Sequence, residues 1–133
     1  MATTLGSICY FCDYASYSSN ILAEDEEYLV LSDNYPIATG HALIVPKYHE
    51  SNIFNLNPDL YLKLFLKTRE YSNIILDKDK TIEGFNIGVN QGSVAGQTVM
   101  HAHIHLVPRR YADTPDPRGG IRWIFPDKAK YKQ

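Results

Sequence analysis

The chain has 133 residues, 44% of them hydrophobic, and a formal net charge of −2. That length fits one domain, with a sheet and a few helices, and suffices to bury roughly two-thirds of the unfolded surface. No apolar run approaches the ~18 residues of a membrane span, and a near-neutral balance argues against a general nucleic-acid binder, which is clearly basic.

The balance conceals an asymmetry. Residues 1–108 carry six Lys/Arg against twelve Asp/Glu, and residues 109–133 carry seven against three. The basic end begins at Arg109 and Arg110 and continues through Arg118 and Arg122. A positive flank suits a phosphate-bearing substrate; a solvated tail fits the same composition.

Met1–Ser7 lacks the charged start and long apolar middle of a secretory signal. Residues 7–20 are polar and aromatic and read as a knuckle around Cys9 and Cys12. Two cysteines three apart make no disulfide framework, so a reducing cytoplasm is the expected setting. Tyr28–Leu31 and Ala42–Val45 read as strands, separated by the turn-rich Asp33-Asn34-Tyr35-Pro36 and closed at Gly40. Asn57-Pro58-Asp59 is a helix start: an N-cap, a proline at the first helical position and an acid in the first turn. The spacing predicts a helix to about Asp77, with Tyr61, Leu64, Phe65, Thr68, Tyr71 and Ile75 on one face packing into the core. A strand over Phe85–Asn90 follows, ended by Gln91-Gly92-Ser93, and then a strand over 100–107. Sequential strands with one long helix point to an α+β fold with an antiparallel sheet.

The last of these strands carries the most chemistry. His101, His103 and His105 stand at two-residue spacing after a Gly96-Gln97-Thr98 turn. On a strand they share one face, while Ala102, Ile104 and Leu106 point into a core. Three imidazoles on one face either bind a metal or supply a nucleophile with orienting neighbours; a merely polar strand face is the plain alternative. Cys9-Tyr10-Phe11-Cys12 is a second constellation. A Cys-x-x-Cys is a redox pair, half of a zinc site, or two ordinary thiols. A redox pair usually opens a helix after a strand, and no strand precedes Cys9. Zinc needs two more ligands, which His41, His49, His101, His103 and His105 could supply; spacing does not choose among them.

Together these motifs resemble the histidine-triad (HIT) family. Gly96–Val107 matches its His-φ-His-φ-His-φ-φ signature (φ apolar), and Cys9–Cys12 resembles the CxFC start of its zinc-containing, bacterial-type branch. Gly40–His49 looks like the GHxLxxPKxH strand. Pro117–Trp123, with Pro126, Lys128 and Ala129, is similar to a C-terminal segment of that branch. The resemblance runs from residue 9 to about 131.

The resemblance implies a five-stranded antiparallel sheet with one long helix and a short N-terminal zinc knuckle. Residues 1–133 would form a single HIT domain, residues 109–133 packing near the active site, and the protein would be a homodimer. It makes His103 the nucleophile that attacks an α-phosphate and forms a nucleotidyl-histidine, and it places His105 on the phosphate or bridging oxygen. Gln97 and Thr98, with the main chain at Gly96, would hold non-bridging oxygens. Asn90 would face the phosphates or the leaving group, and Asp33 would bind ribose hydroxyls, although Asp33 also reads as a turn cap. Cys9, Cys12, His49 and His101 become ligands of a structural zinc, and His41 reads as a hydrogen-bonded structural histidine.

The activity so implied is hydrolysis at the α-phosphate of adenine nucleotide derivatives such as diadenosine polyphosphates. Nucleoside phosphoramidate hydrolysis is the alternative within the family. Two readings from other classes stand beside it. One is a catalytic zinc held by the three strand histidines, which leaves the cysteines and the Gly-Gln-Thr turn unexplained. The other is a zinc-stabilised nucleotide-binding module without significant turnover. Neither a membrane nor a nucleic-acid partner is expected.

Overall fold

The computed structural model describes residues 9–131. Met1–Ser7, the segment that lacks secretory-signal character, and the first two residues of the 7–20 knuckle lie outside the described residues. Five strands, β1 (Ile21–Glu24), β2 (Tyr28–Ser32), β3 (Ala42–Pro46), β4 (Ile82–Gly88) and β5 (Ile104–Arg110), form one sheet in the order β1-β2-β3-β5-β4. Every pairing is antiparallel. The helices are α1 (Tyr14–Tyr17), α2 (Pro58–Lys78) and α3 (Pro126–Ala129). The architecture is the α+β arrangement expected from the sequence. No helix among the described residues is long and apolar enough to cross a membrane.

Both faces of the central strands are apolar, and each is covered by a different stretch of the chain. On one face Val30, Ala42, Ile44, Ala102, Ile104 and Leu106 pack against Leu60 and Leu64 of α2. On the other, Leu29, Leu31, Leu43 and Val45 pack around Phe11 of the N-terminal knuckle. The strand period of two sorts β2 and β3 between these cores residue by residue. All five residues of β3 are accordingly buried.

Helix α2 starts as its sequence dictates. Asn57 accepts the Leu60 amide at 2.9 Å, Pro58 opens the first turn, and Asp59 lies in that turn. Its buried face differs by one register position from the expected stripe. Leu60, Leu64 and Thr68 are buried and Tyr61, Tyr71 and Ile75 lean on the core, whereas Phe65 is 37% exposed. Thr68 is tolerated inside because its hydroxyl donates to the Leu64 carbonyl at 2.9 Å.

Strand limits also depart from expectation. β1 is an additional strand that the sequence barely signals, because its four residues, alternately half-buried and exposed, carry little periodicity. β4 lies earlier than Phe85–Asn90, and β5 begins at Ile104 rather than at residue 100. The physical reason for the late start is Pro46. β3 and β5 pair Ala42 with Leu106 and Ile44 with Ile104, so the next step of the ladder would pair Pro46 with Ala102. Proline has no amide to donate; the Ala102 amide bonds the Glu50 carbonyl instead, at 2.7 Å. His101 and His103 thus precede the strand, and His105 alone of the three lies within it.

Replacing Leu64 with alanine should cost roughly 2–5 kcal/mol of stability, read from the urea midpoint at unchanged m-value. A loss below about 1 kcal/mol would contradict the packing of α2 on the sheet.

Candidate functional site

The histidine segment alternates as the sequence implied, although most of it lies before the strand. Ala102, Ile104 and Leu106 enter the core under α2, and His103 and His105 face a cavity on the opposite side. His103 donates from Nδ1 to the His101 carbonyl at 2.7 Å. A carbonyl only accepts, so Nδ1 carries the proton and Nε2 keeps its lone pair. Burial lowers the pKa of His103 below the ordinary imidazole value. The ring is therefore neutral near pH 7 with a nucleophilic nitrogen available.

His105 is set in the opposite tautomer. The Ile37 amide donates to His41 Nδ1 at 3.3 Å, so the His41 proton sits on Nε2. That nitrogen lies 2.9 Å from His105 Nδ1 and 3.3 Å from Asp33 Oδ2. His105 Nδ1 then accepts, and His105 Nε2 carries an N–H. Burial, reinforced by the neighbouring imidazoles His103 and His41, pushes the pKa of His105 down to about 4. Burial also lowers that of His41. Asp33, His41 and His105 stand close enough to consider a cation, but the proton on His41 Nε2 occupies the position a metal would need.

His41 is thus hydrogen-bonded, as expected from the sequence, with His105 as its partner. Nothing in the sequence pairs the two: the link is the β3–β5 register, which sets Leu43 opposite His105. Asp33 does two things at once. Its Oδ1 caps the turn by accepting the Tyr35 amide at 2.8 Å, and its Oδ2 faces the histidines.

The loop before the histidines is shaped by Gly92 and Gly96, both at positive φ (+96° and +97°). Gln97 is buried, and its amide is engaged within the loop. It accepts the Gly92 amide at 2.8 Å and donates to the carbonyls of Ser51 at 2.9 Å and Val99 at 3.2 Å. Gln97 therefore holds the loop, leaving the exposed Thr98 and the main chain around Gly96 toward the cavity. Asn90 is exposed at the cavity rim.

The cavity has a volume of about 1790 Å³, and Ile121, Trp123 and Phe125 of the C-terminal segment line its far wall. Gly119 turns that segment at a φ of +98°, where a Cβ would meet the Ala129 carbonyl oxygen at 2.3 Å. The basic flank is largely compensated locally. Arg109 pairs with Asp113 at 2.7 Å, Arg110 with Asp79 at 2.8 Å and Arg118 with Asp116 at 3.0 Å. Arg122 donates to the Lys128 carbonyl at 2.8 Å.

The four residues expected to hold zinc come together. Cys9 Sγ lies 3.4 Å from His101 Nδ1, Cys12 Sγ 3.2 Å from His49 Nδ1, and the two Nδ1 atoms 3.2 Å apart. Tetrahedral zinc, with bonds of about 2.3 Å to sulfur and 2.0–2.1 Å to nitrogen, separates its ligands by roughly 3.3–3.8 Å. His101 is fully buried, and its Nε2–H donates to the Pro46 carbonyl at 2.7 Å. That bond turns the Nδ1 lone pair toward the sulfurs, the ligand-competent tautomer. The residues present fit the metal: two thiols and two imidazoles, a closed set with no position left for substrate.

A HIT-domain family model matches residues 15–112. The chain belongs to the HIT family. It is 35% identical over 114 residues to the adenylylsulfatase HINT3 of Arabidopsis thaliana, covering 84% of this chain and 57% of that protein. It is 34% identical over 109 residues to the adenosine 5'-monophosphoramidase HNT1 of Saccharomyces cerevisiae, 80% of this chain and 66% of the other. With the asymmetrical bis(5'-nucleosyl)-tetraphosphatase of Schizosaccharomyces pombe it shares 37% identity over 78 residues, 59% of this chain and 42% of the other. The chain thus spans between 42% and 66% of these relatives' lengths. Among solved structures it superposes, at a TM-score of 0.71 and 31% identity, on a Zn-bound histidine triad family protein from Mycobacterium smegmatis, covering 81% of this chain and 84% of that one. The family thus includes enzymes acting on nucleotide derivatives.

The protein should purify with close to one zinc per chain. Cys9→Ser should remove it and lower the melting temperature by on the order of 10 °C, read by metal analysis and thermal unfolding. Metal-free protein, with a melting temperature indifferent to Cys9→Ser, would contradict the zinc assignment.

Proposed function

We propose that this protein hydrolyses adenine nucleotide derivatives at the α-phosphate, with His103 as nucleophile. The observation that carries the reading is the bond from His103 Nδ1 to the His101 carbonyl, which leaves Nε2 unprotonated toward the cavity. Attack by Nε2 forms the N–P bond while the bond from phosphorus to the leaving group breaks, and the electron pair departs with that group. The ring becomes cationic, and the His101 carbonyl accepts its remaining N–H. His105 Nε2–H donates a hydrogen bond to the departing atom, and the main chain around Gly96 and the Thr98 hydroxyl hold the non-bridging oxygens. Asp33 Oδ2 serves the ribose hydroxyls and Asn90 the leaving group. Water then attacks phosphorus, the N–P bond breaks with its electron pair returning to Nε2, the water gives up a proton to solvent, and His103 returns as neutral imidazole.

Zinc at Cys9, Cys12, His49 and His101 has a structural role: it would tie the knuckle to the segment that presents His103. Leu62 and Leu66 of α2, both more than half exposed, support the homodimer that the resemblance implies.

The size of the cavity favours a two-part substrate. Its 1790 Å³ exceeds the roughly 300–1,000 Å³ of an ordinary ligand pocket, which supports a dinucleoside polyphosphate. A phosphoramidate is a second reading, supported by the pairing of Arg109, Arg110 and Arg118 with aspartates: a polyphosphate leaving group calls for cations, an amine does not.

Offering diadenosine tetraphosphate and an adenosine phosphoramidate to wild type and to His103→Ala tests the reading. Chromatography of the products should show AMP from at least one substrate, and a loss of roughly 10³-fold or more in the variant. Full turnover by His103→Ala would overturn the nucleophile. Tight nucleotide binding by wild type without turnover of either substrate would make the protein a binding module.

A further inference from the structure

The hydrogen bond to the His101 carbonyl holds the proton on His103 Nδ1, but a single such bond contributes only on the order of 1 kcal/mol and does not alone keep the ring from turning out of it. The remaining restraint is lateral. His105 lies on one neighbouring side, ring centroids 5.2 Å apart at 62°. Phe11 supplies a second aromatic contact, 5.1 Å from His103 at 67°, within the range of favourable edge-to-face pairs. The same phenyl ring stands 5.7 Å from His101 at 83°. It touches both the nucleophile and the residue whose carbonyl orients it. Phe11 is 4% exposed and backed by Leu29, Leu31, Leu43 and Val45, so it has little room to retreat.

We propose that Phe11 is a positioning residue for His103, a wall the N-terminal knuckle delivers so that Nε2 meets the phosphate in one orientation. The proposal rests on the reading of His103 as nucleophile. The placement follows from chain geometry. Phe11 lies between Cys9 and Cys12, and the Cys12 and Asp13 amides both donate to the Cys9 carbonyl, at 3.0 and 3.1 Å. That tight turn points the two thiols toward His49 and His101 while the intervening phenyl ring reaches His103. The knuckle thereby does more than anchor a terminus. A displacement of about 1 Å at a reacting atom costs as much as 10²-fold in rate, and a leucine at this position would leave the imidazole ring without its aromatic support.

The test compares Phe11→Leu, Phe11→Tyr and, as a control in the core under α2 that does not touch Phe11, Leu60→Val. Three quantities are read: kcat and KM on the substrate that wild type hydrolyses, zinc per chain, and the His103 tautomer from its ¹⁵N resonances. Phe11→Leu should keep its zinc and a KM within about 3-fold, with kcat lowered roughly 10- to 100-fold. Its His103 resonances should show a mixture of tautomers in place of the single Nδ1–H form. Phe11→Tyr, which keeps the ring, should recover most of kcat. Leu60→Val should lose stability with kcat unchanged, which separates positioning from packing.

Wild-type kcat and a single tautomer in Phe11→Leu would overturn the proposal. Loss of zinc with kcat preserved in the zinc-loaded fraction would overturn it as well, since Phe11 would then serve the knuckle alone. If wild type turns over neither substrate, the reading of the site fails, and the tautomer measurement still decides the role of Phe11.

Discussion

His101 makes three bonds in three directions, and the rest of the site depends on them together. Its Nε2–H goes to the Pro46 carbonyl, its Nδ1 faces the thiols of Cys9 and Cys12, and its own carbonyl accepts His103 Nδ1–H. A typical hydrogen bond contributes on the order of 1 kcal/mol net, so neither the Pro46 nor the His103 bond is exceptional as a source of stability. Their weight lies in orientation. The Pro46 contact fixes the tautomer that can bind zinc, and the main-chain contact fixes the tautomer that can attack phosphorus. Pro46 also ends the β3–β5 ladder, because it has no amide to donate at the next step.

A second chain of bonds sets the other histidine. The Ile37 amide, His41 and Asp33 determine which nitrogen of His105 carries a proton. His103 and His105 therefore present unlike nitrogens to one cavity, a lone pair from His103 and an N–H from His105. Burial keeps both rings neutral, so the distinction rests on tautomers rather than on charge. Gln97 acts in a similar way at greater remove from the chemistry: its amide closes the glycine loop that brings Gly96 and Thr98 to the cavity.

The alternation of the histidines is legible in the sequence, because a period of two survives whether or not the segment joins a sheet. So is the start of α2, since Asn57, Pro58 and Asp59 act locally. The meeting of Cys9, Cys12, His49 and His101 is legible through family resemblance alone; their spacing leaves the histidines open. What stays hidden depends on contacts between distant segments. The His41–His105 bond follows from the β3–β5 register. The engagement of Gln97 follows from the approach of Ser51. The compensation of the basic flank needs Asp79, thirty-one positions from Arg110, as much as it needs local aspartates. Phe65 reads as buried because helical periodicity alone does not decide which edge of a broad apolar stripe meets the sheet.

On the proposed mechanism His103 Nε2 is the one nitrogen that makes the covalent attack. The most direct measurement is neutral-pH mass spectrometry of wild type trapped during turnover, with peptide mapping across residues 101–105. The expected result is a nucleotidyl group on His103 that disappears as substrate is exhausted. Turnover with no adduct on any histidine, or with the adduct on His105, would contradict it.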